Sequence, residues 1–233
     1  MIAKFDLETY QLDAVNAFVH AEIDEIVYIR LPPGFTEAGK VLRLNKALYG
    51  LRRSPLMWQQ KITSAMQELG FKELPQEPCI MLKNGIICFY FVDDIVFAFR
   101  QKDSKEVQET IRSLKKPFTI KEVGNLKWFL GMHIIRDRKK KTLWLSQLSY
   151  IEKVKSQFIS EEPTKLPDTP IQEEELFPSD QEASNKDRTL YQQKIGSVLF
   201  AAIASRPDIA FAIARLSRFN QNPRLLHYKA ADD

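Results

Sequence analysis

Residues 86–92 read Ile-Ile-Cys-Phe-Tyr-Phe-Val and residues 95–99 read Ile-Val-Phe-Ala-Phe, with nothing between them but Asp93 and Asp94. Short aromatic and β-branched runs flanking a two-residue polar break predict a β-hairpin. Runs this apolar also predict burial on both faces of the sheet, or nearly so. The two carboxylates at the tip then need an account. Aspartates are common in turns because their side chains bond nearby backbone groups, and on that ground alone the pair is a solvated turn. The flanks favour another reading: adjacent buried carboxylates repel each other and need a cation or other partners to stay ionised. Magnesium is the hard cation that suits carboxylate oxygens.

A third carboxylate, Asp13, stands in a strand-like stretch, residues 10–19, that runs into a turn or helix. If that strand lies beside the hairpin, three carboxylates converge. Two Mg²⁺ ions about 3.5–4 Å apart could then clamp an in-line phosphoryl displacement.

The remaining pattern predicts an α+β fold. Residues 26–31 suggest a strand closed by Pro32-Pro33-Gly34. Ser54-Pro55 suggests an N-cap followed by proline in the first turn, and Trp58, Ile62, Ala65, Met66 and Leu69 follow at helical spacing up to Gly70. Asp103 and Glu106 suggest a capping box for a helix striped by Val107, Ile111 and Leu114. Strand-like pieces at 128–135 and 142–146 flank a basic run, Arg136 to Lys141, read either as a solvated turn or as a phosphate contact. Residues 160–190 shift to Pro, Glu, Ser and Asp, which predicts a polar loop that includes Glu173 to Glu175. Helices are expected at about 190–204 and 207–219.

Composition excludes little beyond a disordered tail. Charged residues make up 27% and the net charge is +4, mildly basic. Cys79 and Cys88 both sit in apolar surroundings and read as small buried thiols, and no Cys/His spacing suggests zinc. His20, His133 and His227 are scattered and are assigned to no metal. No apolar run reaches the about 20 residues a membrane helix needs, so a membrane is not among the expected partners.

The ordered motifs carry a resemblance. Gln11-Leu12-Asp13-Ala14-Val15-Asn16-Ala17-Phe18-Val19-His20 resembles the first catalytic motif of copia-type retrotransposon reverse transcriptases. The run Ala47 to Trp58 resembles their second motif, and Phe91-Val92-Asp93-Asp94 their Tyr-Val-Asp-Asp box, with phenylalanine for the usual tyrosine. Trp128-Phe129-Leu130-Gly131, Leu145-Ser146-Gln147 and Ser205 to Ala212 are similar to later segments of the same family.

The resemblance implies an RNA-directed DNA polymerase core with a polymerase palm at 1–145, carrying only part of the fingers, and a mainly helical thumb or connection region at 146–233 with a polar linker at about 160–189. It implies Asp13, Asp93 and Asp94 as catalytic metal ligands for two Mg²⁺ ions, with Mn²⁺ as a substitute. Phe18 is expected as the aromatic gate beneath the sugar, Tyr49 and Gly50 as contacts to nucleotide and template, and Trp128 to Gly131 as the primer grip. Expected partners are an RNA or DNA template with its primer and deoxynucleoside triphosphates, in the cytoplasm or in virus-like particles. The chain starts shortly before Asp13 and stops before any RNase H segment, so a fragment or degenerate copy is expected. A catalytically inactive remnant with at most weak nucleic-acid binding is the alternative, and an unrelated metal phosphotransferase sharing only the carboxylates is a third.

Overall fold

The computed structural model describes residues 1–35, 37, 39–159, 169–171, 176–178 and 182–232. The chain forms two compact units, one of residues 1–129 and 136–143, the other of 130–135 and 144–233. In chain order the elements are β1 (Glu8–Ala14), β2 (Tyr28–Ile29), β3 (Leu42–Arg43), α1 (Ser54–Glu68), β4 (Lys72–Leu74), β5 (Glu77–Lys83), β6 (Ile86–Phe91), β7 (Asp94–Phe99), α2 (Ser104–Leu114), β8 (Ile120–Gly124), β9 (Trp128–Phe129), β10 (Met132–Asp137) and β11 (Thr142–Ser146). The helices α3 (Leu148–Phe158), α4 (Asn185–Ala204), α5 (Ala210–Ser217) and α6 (Leu225–Asp232) complete the chain. The fold is α+β, with antiparallel sheets and six α-helices among the described residues.

The first unit is built on a six-stranded sheet of order β4-β5-β6-β7-β1-β8, in which every ladder is antiparallel. Side chains alternate across a strand, so Ile86, Cys88 and Tyr90 of β6 and Ile95, Phe97 and Phe99 of β7 share one face. They join Met57, Trp58, Ile62 and Met66 of α1 and Val107, Ile111 and Leu114 of α2 in one core. Burying side chains of this size contributes about 1.5–3 kcal/mol each relative to exposure. Gln11, Asp13, Phe89, Phe91 and Asp94 fall on the other face, as the pairings Gln11–Val96, Asp13–Asp94, Phe89–Val96 and Phe91–Asp94 require.

Several local expectations change. Ser54 is the first residue of α1 and not its cap. Its hydroxyl donates to the Leu48 carbonyl at 2.6 Å and accepts from the Leu48 amide at 3.1 Å, which fixes the loop before the helix. Asp103 makes no side-chain cap, and Glu106 turns instead to Lys83 at 3.0 Å. Gly70 takes φ +86° where α1 ends, a conformation that favours glycine. The strand expected over 26–31 shrinks to Tyr28–Ile29 paired with β3. Cys88 is buried, whereas Cys79 is only half-buried.

In the basic run, Arg136 donates to the Leu7 carbonyl and pairs with Asp6, each at 2.6 Å. Arg138 pairs with Asp6 at 3.1 Å and with Glu8 at 2.5 Å. The arginines are therefore committed within the unit, while Lys139, Lys140 and Lys141 are exposed.

The second unit is mainly helical. Tyr191, Ile195 and Ala202 of α4 pack with Ile213 and Leu216 of α5 and with Phe219. The Tyr191 hydroxyl donates to the Leu216 carbonyl at 3.0 Å, and Tyr150 of α3 donates to Ser197 of α4 at 2.9 Å. His227 is fully buried, stacked on Phe219 and bonded through both ring nitrogens to backbone, a structural role. The α3 and α6 helices were not anticipated. Glu173 to Glu175, and most of the polar stretch read as a linker, lie outside the described residues.

Candidate active site

The register of the sheet brings the carboxylates together. Asp13, near the end of β1, is paired directly with Asp94, the first residue of β7. The turn between β6 and β7 is Val92-Asp93, because Phe91 pairs with Asp94. Asp94 is thus a strand residue and not part of the turn that the polar break suggested. The Ala14 amide donates to the Asp93 carbonyl at 2.8 Å, tying the turn to the residue next to Asp13.

The turn is strained. Val92 has φ +54°, and a β-branched residue in the left-handed region is a genuine outlier. Such strain costs on the order of 1–3 kcal/mol and persists only where surrounding contacts over-determine it. Here those contacts are visible. The Trp58 indole Nε1–H, from inside the core, donates to the Val92 carbonyl at 2.5 Å, while the Ala14 amide holds the Asp93 carbonyl on the other side.

The electrostatics are those of unneutralised carboxylates. Burial pushes the Asp94 carboxyl above its ordinary range, the Gln11 hydrogen bond at 2.8 Å opposes this, and the charges of Asp93 and then Asp13 push it further up. None of the three forms an ion pair with a lysine or arginine among the described residues. Lys121 of β8 is paired with Asp13 from the other side, so its exposed side chain shares the face of Asp13 and Asp94. Among the described residues, no three His, Cys, Asp or Glu side chains close on one point as a ready cage. The donor chemistry nevertheless fits a hard divalent cation: three oxygen ligands with mutual repulsion to relieve.

Phe18 follows in a short 3₁₀ turn, Ala17–His20, entered through Asn16 at φ +53°. Its ring is buried, as a core aromatic's would be, and lies 4.3 Å from the ring of Tyr49. Tyr49 is half exposed, and its hydroxyl is pushed up by burial and then by the charges of Asp93 and Asp13, so the phenol stands within their field. Gly50 has φ +93° with open space where a Cβ would be, which sets the turn into α1. Trp128 and Phe129 form β9, and Phe129 packs edge-on against Phe89 of β6 at 5.3 Å. Leu130 and Gly131, both at positive φ, make the turn into β10. The sheet and its turns bring Asp13, Asp93, Asp94, Phe18 and Tyr49 into one neighbourhood, with Gly50 in the adjoining turn.

Sequence reasoning missed Gln11 and Trp58. Gln11 is a buried amide two residues before Asp13 on the same strand face. Trp58 carries an indole N–H that must find an acceptor once buried.

Comparison with known proteins decides the family. The family model described as reverse transcriptase (RNA-dependent DNA polymerase) matches residues 1–170. The chain belongs to the copia-type reverse transcriptases. It is 35% identical to the retrovirus-related Pol polyprotein from transposon TNT 1-94 of Nicotiana tabacum, over 99% of this chain and 18% of that protein. It is 31% identical to the putative transposon Ty5-1 protein of Saccharomyces cerevisiae, over 94% of this chain and 72% of that one. It is 30% identical to the Pol polyprotein from transposon RE1 of Arabidopsis thaliana, over 94% of this chain. The reverse transcriptase therefore spans only 18% and 15% of the tobacco and Arabidopsis polyproteins.

Proposed function

We propose that this reverse transcriptase chain is a nucleotidyl-transfer core that adds deoxynucleotides to a primer 3′-hydroxyl on an RNA or DNA template. The observation that carries the reading is the strained Val92-Asp93 turn, held by Trp58 and Ala14 so that Asp93 and Asp94 stand beside Asp13. Strain maintained by dedicated contacts marks a place where geometry matters more than stability.

In this reading the first unit is the palm, with part of the fingers, and the helical second unit is the thumb or connection. Asp13, Asp93 and Asp94 would hold two Mg²⁺ ions, with Mn²⁺ as a substitute. When bound, magnesium supplies the Lewis acid that activates the hydroxyl and neutralises the triphosphate. Gln11 orients the Asp94 carboxylate by its hydrogen bond. Phe18, backed by Tyr49, forms the floor under the sugar and disfavours a 2′-hydroxyl. Tyr49 and Gly50 border the nucleotide and template, and Trp128 to Gly131 hold the primer end.

Primer extension on a homopolymer RNA template tests this. Extension by the full chain that is lost in Asp93→Asn supports the polymerase. A folded chain that extends nothing, with Asp93→Asn indistinguishable from it, supports an inactive remnant instead.

A further inference from the structure

We propose that the depression formed by His20 and residues 115–120 is a phosphate-binding subsite. The cavity measures about 470 Å³ and is open to solvent. Its wall is bonded to the strand that carries Asp13: the Val15 amide donates to the Thr119 carbonyl at 2.9 Å, and Ala14 pairs with Ile120. Ile120, one of its lining residues, is thus paired with the immediate neighbour of Asp13.

Its positive charge comes from two adjacent lysines. Lys115 is shared with Glu122 at 2.8 Å, which offsets one charge. Lys116 is exposed and makes no ion pair among the described residues, so its charge is uncommitted. The His20 ring is fixed by its Nε2–H donating to the Val15 carbonyl at 3.0 Å. Phe118 meets it edge-on at 5.6 Å, and Trp58 lies 6.0 Å away. In a neutral ring so anchored Nδ1 is an acceptor, so His20 forms a wall of the depression and the positive charge comes from the lysines. Lysine acts toward phosphate as a point charge, and two adjacent lysines suit a multiply charged phosphate group.

The subsite stands on its own geometry. Naming the source of the phosphate, a nucleotide's polyphosphate or the backbone of a primer–template, rests on the polymerase reading. The probe is inorganic pyrophosphate, titrated into the full chain in metal-free buffer and followed by calorimetry. Saturable binding is expected, weakened about tenfold in Lys116→Gln, as for loss of one charge-assisted contact. Binding should be retained in Lys116→Arg and unchanged in Lys102→Gln, a distant surface control, with all variants melting like the parent.

Two arms distinguish the sources. A nucleotide source predicts a raised KM for deoxynucleotide in Lys116→Gln, with duplex affinity unchanged. A backbone source predicts weaker duplex binding and a salt slope smaller by about one. No binding of pyrophosphate by the parent chain, binding indifferent to Lys116→Gln, or equal loss in Lys102→Gln would each overturn the subsite. Repeating the titration in Asp93→Asn separates the two claims. Pyrophosphate held there supports the subsite even if the chain never extends a primer. A chain that extends primers but ignores pyrophosphate loses only the subsite.

Discussion

The indole of Trp58 donates its N–H to the carbonyl of Val92 at 2.5 Å, so a side chain from the centre of the core fastens the turn that carries Asp93. Trp58→Phe keeps most of the packing and removes the bond. Stability should fall by about 1–3 kcal/mol, the cost of leaving a buried acceptor unpaired. Extension should fall by about tenfold or more, because a misplaced metal ligand costs far more than a contact. Melting and primer extension on one preparation check both, and a variant as active as the parent would remove the turn's anchoring from the mechanism.

Val92 should prove cheap to replace by glycine. At φ +54° glycine relieves strain of about 1–3 kcal/mol, which offsets its own entropic cost of about 0.5–1 kcal/mol. Val92→Gly should therefore stay within about 1–2 kcal/mol of the parent in urea denaturation. Val96→Gly, at a fully buried position in β7, should lose about 2–5 kcal/mol. Comparable losses at the two positions would mean that the turn is not strained.

The pH dependence of stability follows from Asp94. Its folded carboxyl lies above the ordinary range, first through burial and then through Asp93 and Asp13, with Gln11 opposing. The folded state therefore binds the proton more tightly than the unfolded chain does, and this group's contribution is fully present at pH below the usual carboxylate value. It is lost as pH rises through the raised folded value, because a buried charge must then be carried. In metal-free buffer Asp94→Asn should melt higher than the parent at neutral pH, and the difference should shrink on acidification. Added Mg²⁺ should raise the parent's melting temperature at neutral pH and leave Asp93→Asn less affected.

The basic turn divides into two kinds of residue. Gln substitutions at Lys139, Lys140 and Lys141, all exposed, should leave melting unchanged. If the turn meets phosphate, each should lower the salt slope of duplex binding by about one. Arg136→Gln should destabilise the fold instead, because the guanidinium holds the Leu7 carbonyl and Asp6. A stable Arg136→Gln variant with weakened duplex binding would reverse that division.

The hairpin, α1 and α2 were legible because each rests on a local pattern of apolar runs or helical spacing, and the place of Asp13 beside Asp94 was legible only through the ordered motifs. What escaped depends on residues distant in sequence. Glu106 looked like a cap until Lys83 was placed 3.0 Å away. Trp58 sat in a helical stripe and read as core, which it is, but the direction of its N–H is set by where Val92 lies. That Asp94 opens a strand while Val92 enters the turn follows from pairing register, which the dipeptide cannot express. Helices α3 and α6 are held by tertiary partners: Tyr150 bonds α3 to Ser197 of α4, and His227 of α6 stacks on Phe219.

Main-chain pairing sets the distance between Asp13 and the hairpin, through the β1–β7 register and the Ala14–Asp93 bond. An isosteric amide at any of the three carboxylates therefore leaves the framework standing while it removes the charge. Mutational decay of such a chain would silence the chemistry long before it blurred the architecture. A well-formed site is for that reason evidence of ancestry, and turnover alone is evidence of use.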